Sequence, residues 1–173
     1  MFERIETERL LLRRFLPEDR EALFEFLSDE ETLAFEPYPP VKAEEVESLL
    51  AARIASPDFF AVEIKATGKV VGNVYLGKRD CDNAELGYVF NRRFWGNGYA
   101  SEACGAAVGR AFKAGIHRVF AECDPKNVPS WKLLERLGFR REGFFRQNVW
   151  FRKDEKGNPI WKDTYVYARL AGE

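Results

Sequence analysis

The sequence contains few of the residues that build metal centres or disulfide frameworks. Its three cysteines, Cys81, Cys104 and Cys123, are widely spaced and form no Cys-x-x-Cys pair, and His117 is its single histidine. We therefore expect no zinc site and no other metal site. The odd cysteine number, in a chain whose first residues lack a secretion signal, indicates reduced thiols and a cytoplasmic protein.

Long apolar stretches are also lacking. The first ten residues, MFERIETERL, are charged, and no uncharged apolar run approaches the roughly 20 residues that span a bilayer. The chain has no internal repeat and no low-complexity tract. Its 173 residues therefore predict a single domain over residues 1–173, with no membrane partner.

Net charge is nearly absent, although the charges are unevenly distributed. The 27 basic and 28 acidic residues give a net charge of −1, which argues against a general nucleic-acid-binding protein. Between Glu18 and Glu63 there are 13 acidic and 3 basic residues, and from Ile64 onwards there are 20 basic and 12 acidic residues. The basic part of the chain, from Ile64 onwards, suits an anionic cofactor, and the acidic part, from Glu18 to Glu63, suits a cationic amine. The alternative explanation of the same pattern is that these charges lie on solvated helix faces.

Apolar periodicity and turn residues predict alternating strands and helices, hence an α+β fold with a mixed sheet. Strands are expected over 7–15, 59–64, 70–76, 84–91, 118–123, about 139–151 and about 160–170, and helices from Pro17 and over about 43–55, 99–114 and 130–137. The late aromatic residues are expected to lie mostly in the core, with some of them lining a binding cleft: Phe144, Phe145, Trp150, Phe151 and Trp161.

A glycine loop, RRFWGNGYA over residues 92–100, lies between a predicted strand and a predicted helix. Gly96 and Gly98 allow the backbone to turn sharply and a ligand to approach it closely. Successive N–H groups and the positive end of the following helix favour a bound anion such as phosphate. The alternative is a tight strand-to-helix turn that binds nothing.

Two nucleotide-binding motifs are excluded. A dinucleotide fingerprint requires a third glycine at position 101, which is Ser101. A Walker A loop requires Ser or Thr after its lysine, whereas the Gly-x4-Gly-Lys spacing that ends at Lys78 is followed by Arg79. The loop therefore needs another explanation.

Arg93-x-x-Gly96-x-Gly98 resembles the pyrophosphate loop of the GNAT superfamily of N-acetyltransferases, and WGNGYASEA over 95–103 resembles its RimJ/RimL branch. Further matches follow in the expected order: TERL at 7–10, ELGY at 85–88, Asn127-x-x-Ser130 through LGF at 137–139, and WKDTY at 161–165. The resemblance covers essentially the whole chain. It implies a GNAT-like fold, with a mostly antiparallel central sheet, splayed central strands and flanking helices.

The resemblance also implies that acetyl-CoA is the cosubstrate. In such enzymes it lies between the splayed strands, which here would end at Phe90 and Cys123, and a backbone N–H near Val89 would polarise the thioester carbonyl. The pantetheine arm would pair with the backbone of residues 88–90 and the loop would bind the pyrophosphate. The expected cofactor-binding residues are Tyr88, Val89, Phe90, Arg93, Trp95, Gly96, Asn97, Gly98, Tyr99, Ala100 and Asn127.

Direct attack by an amine requires proton transfer more than a covalent nucleophile. Glu85 is the candidate base, acting through water, with an ordinary ion pair as the alternative. Ser130 is the candidate donor to the departing thiolate, with a helix cap as the alternative. Asn127 contacts the cofactor or simply begins the helix. Many relatives carry a tyrosine acid one turn later, where this sequence has Leu134, so the prediction rests on Ser130.

The predicted function is therefore transfer of an acetyl group from acetyl-CoA to a primary amine. The acceptor is a protein N-terminal amine, as for RimJ/RimL-like enzymes, or a small amine such as a polyamine, an amino acid or an aminoglycoside. A non-catalytic acyl-CoA sensor and a nucleotide-binding module are the alternatives. No nucleic-acid partner is expected, and a homodimer is left open.

Overall fold

A single sheet of eight strands organises residues 4–173, which a computed structural model of the protein describes. The strand order is β1-β2-β3-β4-β5-β6-β8-β7. Neighbouring strands are antiparallel throughout these residues except β5 and β6, which are parallel. The strands are β1 Arg4–Glu6, β2 Leu10–Arg13, β3 Phe59–Ile64, β4 Lys69–Lys78, β5 Asn83–Phe90, β6 Arg118–Cys123, β7 Arg140–Lys153 and β8 Pro159–Leu170.

Four α-helices flank this sheet in the described part of the chain, and the α+β prediction is confirmed. They are α1 Arg20–Leu27, α2 Val46–Ala55, α3 Tyr99–Lys113 and α4 Val128–Arg136, with short 3-10 helices at Pro17–Asp19 and Arg92–Phe94. The longest, α3, has 15 residues, and none of the helices over residues 4–173 has both the length and the apolar character to cross a membrane.

Local hydrogen bonds explain where the observed elements differ from the predicted ones. The expected strand over 7–15 is shortened to β2, and the unpredicted β1 precedes it, because the Thr7 hydroxyl accepts the Leu10 N–H at 2.9 Å and turns the chain between them. Helix α4 begins at Val128, two residues before the predicted start, because Asn127 caps the helix and its side chain accepts the Ser130 N–H at 3.3 Å.

The sheet is split between β5 and β6. These strands pair only over Asn83–Glu85 and Arg118–Phe120, although β5 continues to Phe90 and β6 to Cys123. Beyond the last pair the two strands diverge. The splayed central strands are therefore confirmed, and they leave a gap at the middle of the sheet.

Apolar residues form one core on each face of the sheet. The larger core packs α3 and α4 against the sheet and includes Leu76, Leu86, Val108 and Leu134. The smaller core packs α1 and α2 against the opposite face and includes Phe26, Leu50 and Val89. The split in the sheet thus opens between two separately packed layers.

The prediction that the late aromatics lie mostly in the core is wrong. The helices pack principally against β1–β6 and leave the outer part of the β7–β8 hairpin uncovered. Its aromatic side chains are 38–51% exposed: Phe144, Phe145, Trp150, Phe151 and Trp161. Phe151 nevertheless borders an internal cavity.

Candidate active site

Two cavities meet at the split in the sheet. The glycine-loop cavity, of about 620 Å³, lies between the end of β5, the glycine loop, α3 and α4. The polar cavity, of about 380 Å³, lies between β3–β6, β8 and the segment that joins α1 to α2. Both are lined by Phe35, Glu36, Tyr88, Val89, Asn127 and Ser130. Molecules bound in the two cavities would therefore have these six residues as common neighbours.

The glycine loop has the backbone conformation that an anion site needs. Gly96 and Gly98 have φ angles of +80° and +77°, which L side chains rarely adopt. A Cβ atom at Gly96 would meet no atom within 4 Å, so the space outside it is open to a ligand. Gly98 is the N-terminal cap of α3, whose positive end therefore faces the glycine-loop cavity.

A hydrogen-bonded network holds this loop to the first strands. Glu102, in the first turn of α3, accepts from the Thr7 hydroxyl at 2.5 Å and from Arg9 Nε at 2.7 Å. Arg9 Nη1 also donates to the Asn97 carbonyl at 2.9 Å. The TERL motif therefore has a physical role, which is to fix the glycine loop and the start of α3.

Most of the expected cofactor-binding residues line the glycine-loop cavity. The exceptions are Arg93, whose guanidinium pairs with Glu25 at 3.0 Å, and Asn97, whose side chain donates to the Phe94 carbonyl at 3.1 Å. The others lie in its wall: Tyr88, Val89, Phe90, Trp95, Gly96, Gly98, Tyr99, Ala100 and Asn127. Arg136, at the end of α4, also lines the cavity and was missed by the sequence, because no motif includes it.

Ser130 lies at the junction of the two cavities and is hydrogen-bonded to Tyr88. The Tyr88 hydroxyl is 2.9 Å from Ser130 Oγ and 3.1 Å from the Ser130 carbonyl oxygen. The pKa of Tyr88 is well above its usual value, mainly because the side chain is buried, so the phenol is protonated at neutral pH. Leu134 is fully buried in the core, where it has no access to a substrate.

Glu36 is a second functional candidate that no sequence motif includes. Its carboxylate borders both cavities, and burial raises its pKa to about 7 in spite of the opposing influence of Tyr38, Arg53 and Lys162. A carboxylate with such a pKa can exchange protons near neutral pH. The signal available in the sequence was an acidic residue flanked by aromatic residues and prolines, FEPYPP at 35–40. Prolines stiffen the backbone and aromatic side chains exclude water from a neighbouring carboxylate.

Glu85 lines the polar cavity, but it is already paired. Arg79 Nη2 donates to its carboxylate at 2.5 Å, as the ion-pair alternative anticipated. Glu122 borders the same cavity, and burial followed by repulsion from Glu85 raises its pKa. Among residues 4–173, no three His, Cys, Asp or Glu side chains are grouped so that they could hold a metal ion.

The acidic segment from Glu18 to Glu63 is partly neutralised by ion pairs. Arg13 pairs with both Asp19 and Glu63, and Glu25 pairs with Lys69 as well as Arg93. Structural pairing therefore accounts for part of the charge division. Glu36 is the acidic residue of this segment that lies at the junction of the cavities.

Comparisons with known proteins identify a family and several relatives to which this chain is similar. A family model described as an acetyltransferase (GNAT) domain matches residues 9–140. The uncharacterized N-acetyltransferase YnaD of Bacillus subtilis (strain 168) is 33% identical over 172 residues, 98% of each chain. A GNAT-family acetyltransferase from Bacillus anthracis has a crystal structure with a TM-score of 0.89 and 34% identity, covering 98% of this chain and 99% of that one. A Vibrio cholerae protein provisionally named a ribosomal-protein-serine acetyltransferase is 26% identical, with a TM-score of 0.77 and coverage of 96% and 97%.

Proposed function

Because the chain belongs to the acetyltransferase (GNAT) domain family, we propose that acetyl-CoA binds in the glycine-loop cavity and a primary amine in the polar cavity. Family membership makes the protein an acyltransferase of the N-acetyltransferase type. The observation that carries the assignment of the cavities is their junction, where six residues line both. Acetyl transfer requires such a junction, since the donor carbonyl and the amine must come into contact.

The glycine-loop cavity fits the cosubstrate on three counts. The backbone around Gly96 and Gly98 and the start of α3 suit the pyrophosphate. The side chain of Arg136 supplies a further positive charge at the cavity wall. In the described part of the chain no residue of β6 pairs with β5 beyond Glu85, so this edge can pair with the amides of pantetheine.

Glu36, rather than Glu85, acts as the base in this proposal. It removes a proton from the acceptor ammonium, and the free amine nitrogen then attacks the thioester carbonyl carbon. As the amide forms, the nitrogen loses a second proton, which restores the one given to the departing sulfur. Two observations favour Glu36: it lies at the junction of the cavities, and its pKa of about 7 suits proton removal at neutral pH. Glu85 lines only the polar cavity and is held by Arg79.

Ser130 donates a proton to the CoA sulfur as the carbon–sulfur bond breaks. Tyr88 supports this step, because its hydroxyl can replace the proton that Ser130 gives up. The pair thus supplies a phenol at the junction of the cavities, whereas position 134 carries a buried leucine. The N–H near Val89 remains the proposed donor to the thioester oxygen.

The acceptor is a protein N-terminal amine or a small amine. The RimJ/RimL-like alternative is supported by the TM-score of 0.77 to the provisionally named ribosomal-protein-serine acetyltransferase. A homodimer and a cytoplasmic location stay predictions. The sensor alternative has less support, since Glu36, Ser130 and Tyr88 are assembled at the junction as a proton-transferring set.

Two measurements test the proposal. Isothermal titration should give micromolar-range binding of acetyl-CoA, and weaker binding than that of ATP or NAD would overturn the assignment of the cavity. Thiol release in the presence of a mixed amine library should then exceed release by acetyl-CoA alone. Binding without any acceptor-dependent release would support the sensor instead.

A further inference from the structure

Arg53 is a buried cation whose hydrogen-bonding capacity is only partly used by the protein. Its side chain extends from α2 into the wall of the polar cavity and the residue is only 7% exposed. The guanidinium carbon lies 3.4 Å from the centroid of the Phe59 ring, so the group stacks on that ring. Within residues 4–173, Nε and Nη1 have no hydrogen-bond partner. Such donors are normally satisfied, which points to a ligand that accepts from them.

A second unsatisfied polar atom lies in the same cavity. Asn73, on β4, is 2% exposed, and its Oδ1 has no hydrogen-bond partner among the described residues. Phe59 and Tyr75 pair across β3 and β4 beside it and border the same space. The β3–β4 side of the polar cavity therefore offers donors from Arg53 and either an acceptor or a donor from the Asn73 amide, depending on its orientation.

Arg53 is close to the group that would deprotonate the amine. The Glu36 carboxylate and the Tyr38 hydroxyl both interact with the Arg53 guanidinium, and Arg53 in turn favours the ionised form of Glu36. A ligand group held by Arg53 therefore lies next to the junction of the cavities. The planar fork of a guanidinium matches a carboxylate, which accepts two hydrogen bonds from it.

We infer that the acceptor carries a carboxylate close to its amine and that Arg53 binds this carboxylate. The inference rests on the proposed function and names its substrate class. An α-amino acid has this chemistry, because its carboxylate and amine share one carbon, and so does a peptide N-terminus with an acidic side chain nearby. Arg53 acts here as a binding residue that orients the amine towards Glu36.

The opposite wall of the polar cavity is acidic, which suggests a polyamine as the competing acceptor. Most of these carboxylates are already engaged: Glu85 with Arg79, Asp124 with Lys162 at 2.9 Å, and Asp163 with the Gln147 N–H at 2.7 Å. A polyamine would place another cation beside the buried guanidinium and leave its Nε and Nη1 donors without an acceptor. The unsatisfied donors of Arg53 therefore favour the carboxylate.

Matched acceptors test the inference directly. Thiol release from acetyl-CoA is measured with α-amino acids, with their carboxamides, with the corresponding decarboxylated amines, and with peptides that carry or lack an acidic residue at position 2. The carboxylate-bearing compounds should have a kcat/KM at least tenfold above their matched amides. The free amino acids and the acidic peptides form separate arms, which distinguish the two sources of the carboxylate.

Variants of Arg53 and of a matched arginine outside both cavities identify the binding residue. Arg53→Gln should raise KM for the carboxylate acceptor at least tenfold and leave both the carboxamide KM and the acetyl-CoA Kd unchanged, while Arg53→Lys should recover part of the loss. Arg118→Gln is the control, because Arg118 also lies over an aromatic ring, that of Phe120, but lines neither cavity. Thermal melting of each variant separates a loss of binding from a loss of folding.

Two results would overturn the inference while leaving acetyl transfer intact. One is equal or better use of the amides or polyamines by the wild type, and the other is the same KM change in Arg53→Gln for carboxylates and amides. If no turnover is seen, the amino acids and peptides are titrated calorimetrically into the CoA complex. Absence of binding in that titration also overturns the inference. Failure of acetyl-CoA itself to bind would instead contradict the proposed function.

Discussion

Tyr88 and Ser130 connect β5 to α4 across the split in the sheet, with the two hydroxyl oxygens 2.9 Å apart. The Tyr88 hydroxyl also lies 3.1 Å from the Ser130 carbonyl oxygen, so it has two acceptors for one proton. When it donates to Ser130 Oγ, the Ser130 hydroxyl proton is free to point towards a bound thioester. This geometry lets two neutral hydroxyls deliver one proton at a defined position.

Removing the Ser130 hydroxyl should slow the chemical step. We expect Ser130→Ala to lower kcat roughly 10²-fold or more, because the departing thiolate loses its proton donor. Tyr88→Phe should have a smaller effect, since Ser130 keeps its hydroxyl. Steady-state kinetics and acetyl-CoA titration together check this, with Kd expected to change by less than about threefold.

Tyr167→Phe is the matched control for Tyr88→Phe. Tyr167 is 1% exposed and its hydroxyl donates to Glu135 at 3.0 Å, away from both cavities. Its removal should lower stability by about 1 kcal/mol and leave kcat unchanged. Equal kinetic losses in the two tyrosine variants would contradict the role of Tyr88.

Glu36 should set the acidic side of the pH–rate profile. Because its pKa is about 7, kcat/KM should rise as the pH increases through this value and the carboxylate becomes ionised. Glu36→Gln should lose roughly 10²–10⁴-fold in kcat and also lose this dependence. The comparison is Glu85→Gln, which should keep the inflection near pH 7, and an unchanged profile in Glu36→Gln would rule out Glu36 as the base.

The same residue should make folding stability depend on pH. The folded-state pKa of about 7 lies above the ordinary value of 4.5, so the stability present below pH 4.5 is lost as the pH rises to about 7. Since Gln stays neutral, Glu36→Gln should be more stable than the wild type at pH 8 by about 1–2 kcal/mol, and close to it at pH 4. Urea unfolding at the two pH values measures the difference, and a wild type that is the more stable at pH 8 would contradict it.

A side chain at Gly96 should disrupt cosubstrate binding more than folding. We expect Gly96→Val to weaken acetyl-CoA binding at least tenfold, about 1.4 kcal/mol, because the new side chain strains the loop and occupies the open space outside it. Gly157→Val is the control, since Gly157 has a similar φ of +82°, also with no atom within 4 Å of its Cβ position, in the β7–β8 turn. Similar acetyl-CoA Kd values for the two variants would remove the assignment of the loop.

The sequence predicted features that depend on local patterns and missed those that depend on packing. The glycine loop and the start of α3 were predictable, because positive φ angles and helix entry are determined by neighbouring residues. Glu36 was not, since burial in the folded chain raises its pKa, against the opposing charges of Arg53 on α2 and Lys162 on β8. The hairpin aromatics were misplaced because hydrophobicity alone does not say whether another layer covers a strand.

The irregular pairing of the β7–β8 hairpin has a consequence for the behaviour of the protein at high concentration. Strand β7 forms one edge of the sheet, and an uncovered edge invites another chain to add a strand. Its register with β8 shifts at three places, and Gln147 has a φ of +46°. Such bulges bend the edge away from the flat geometry that a second strand needs. The exposed aromatic side chains therefore lie on an edge whose bulges disfavour the addition of a further strand. Self-association of this hairpin would have to proceed through contacts between side chains rather than through a shared sheet.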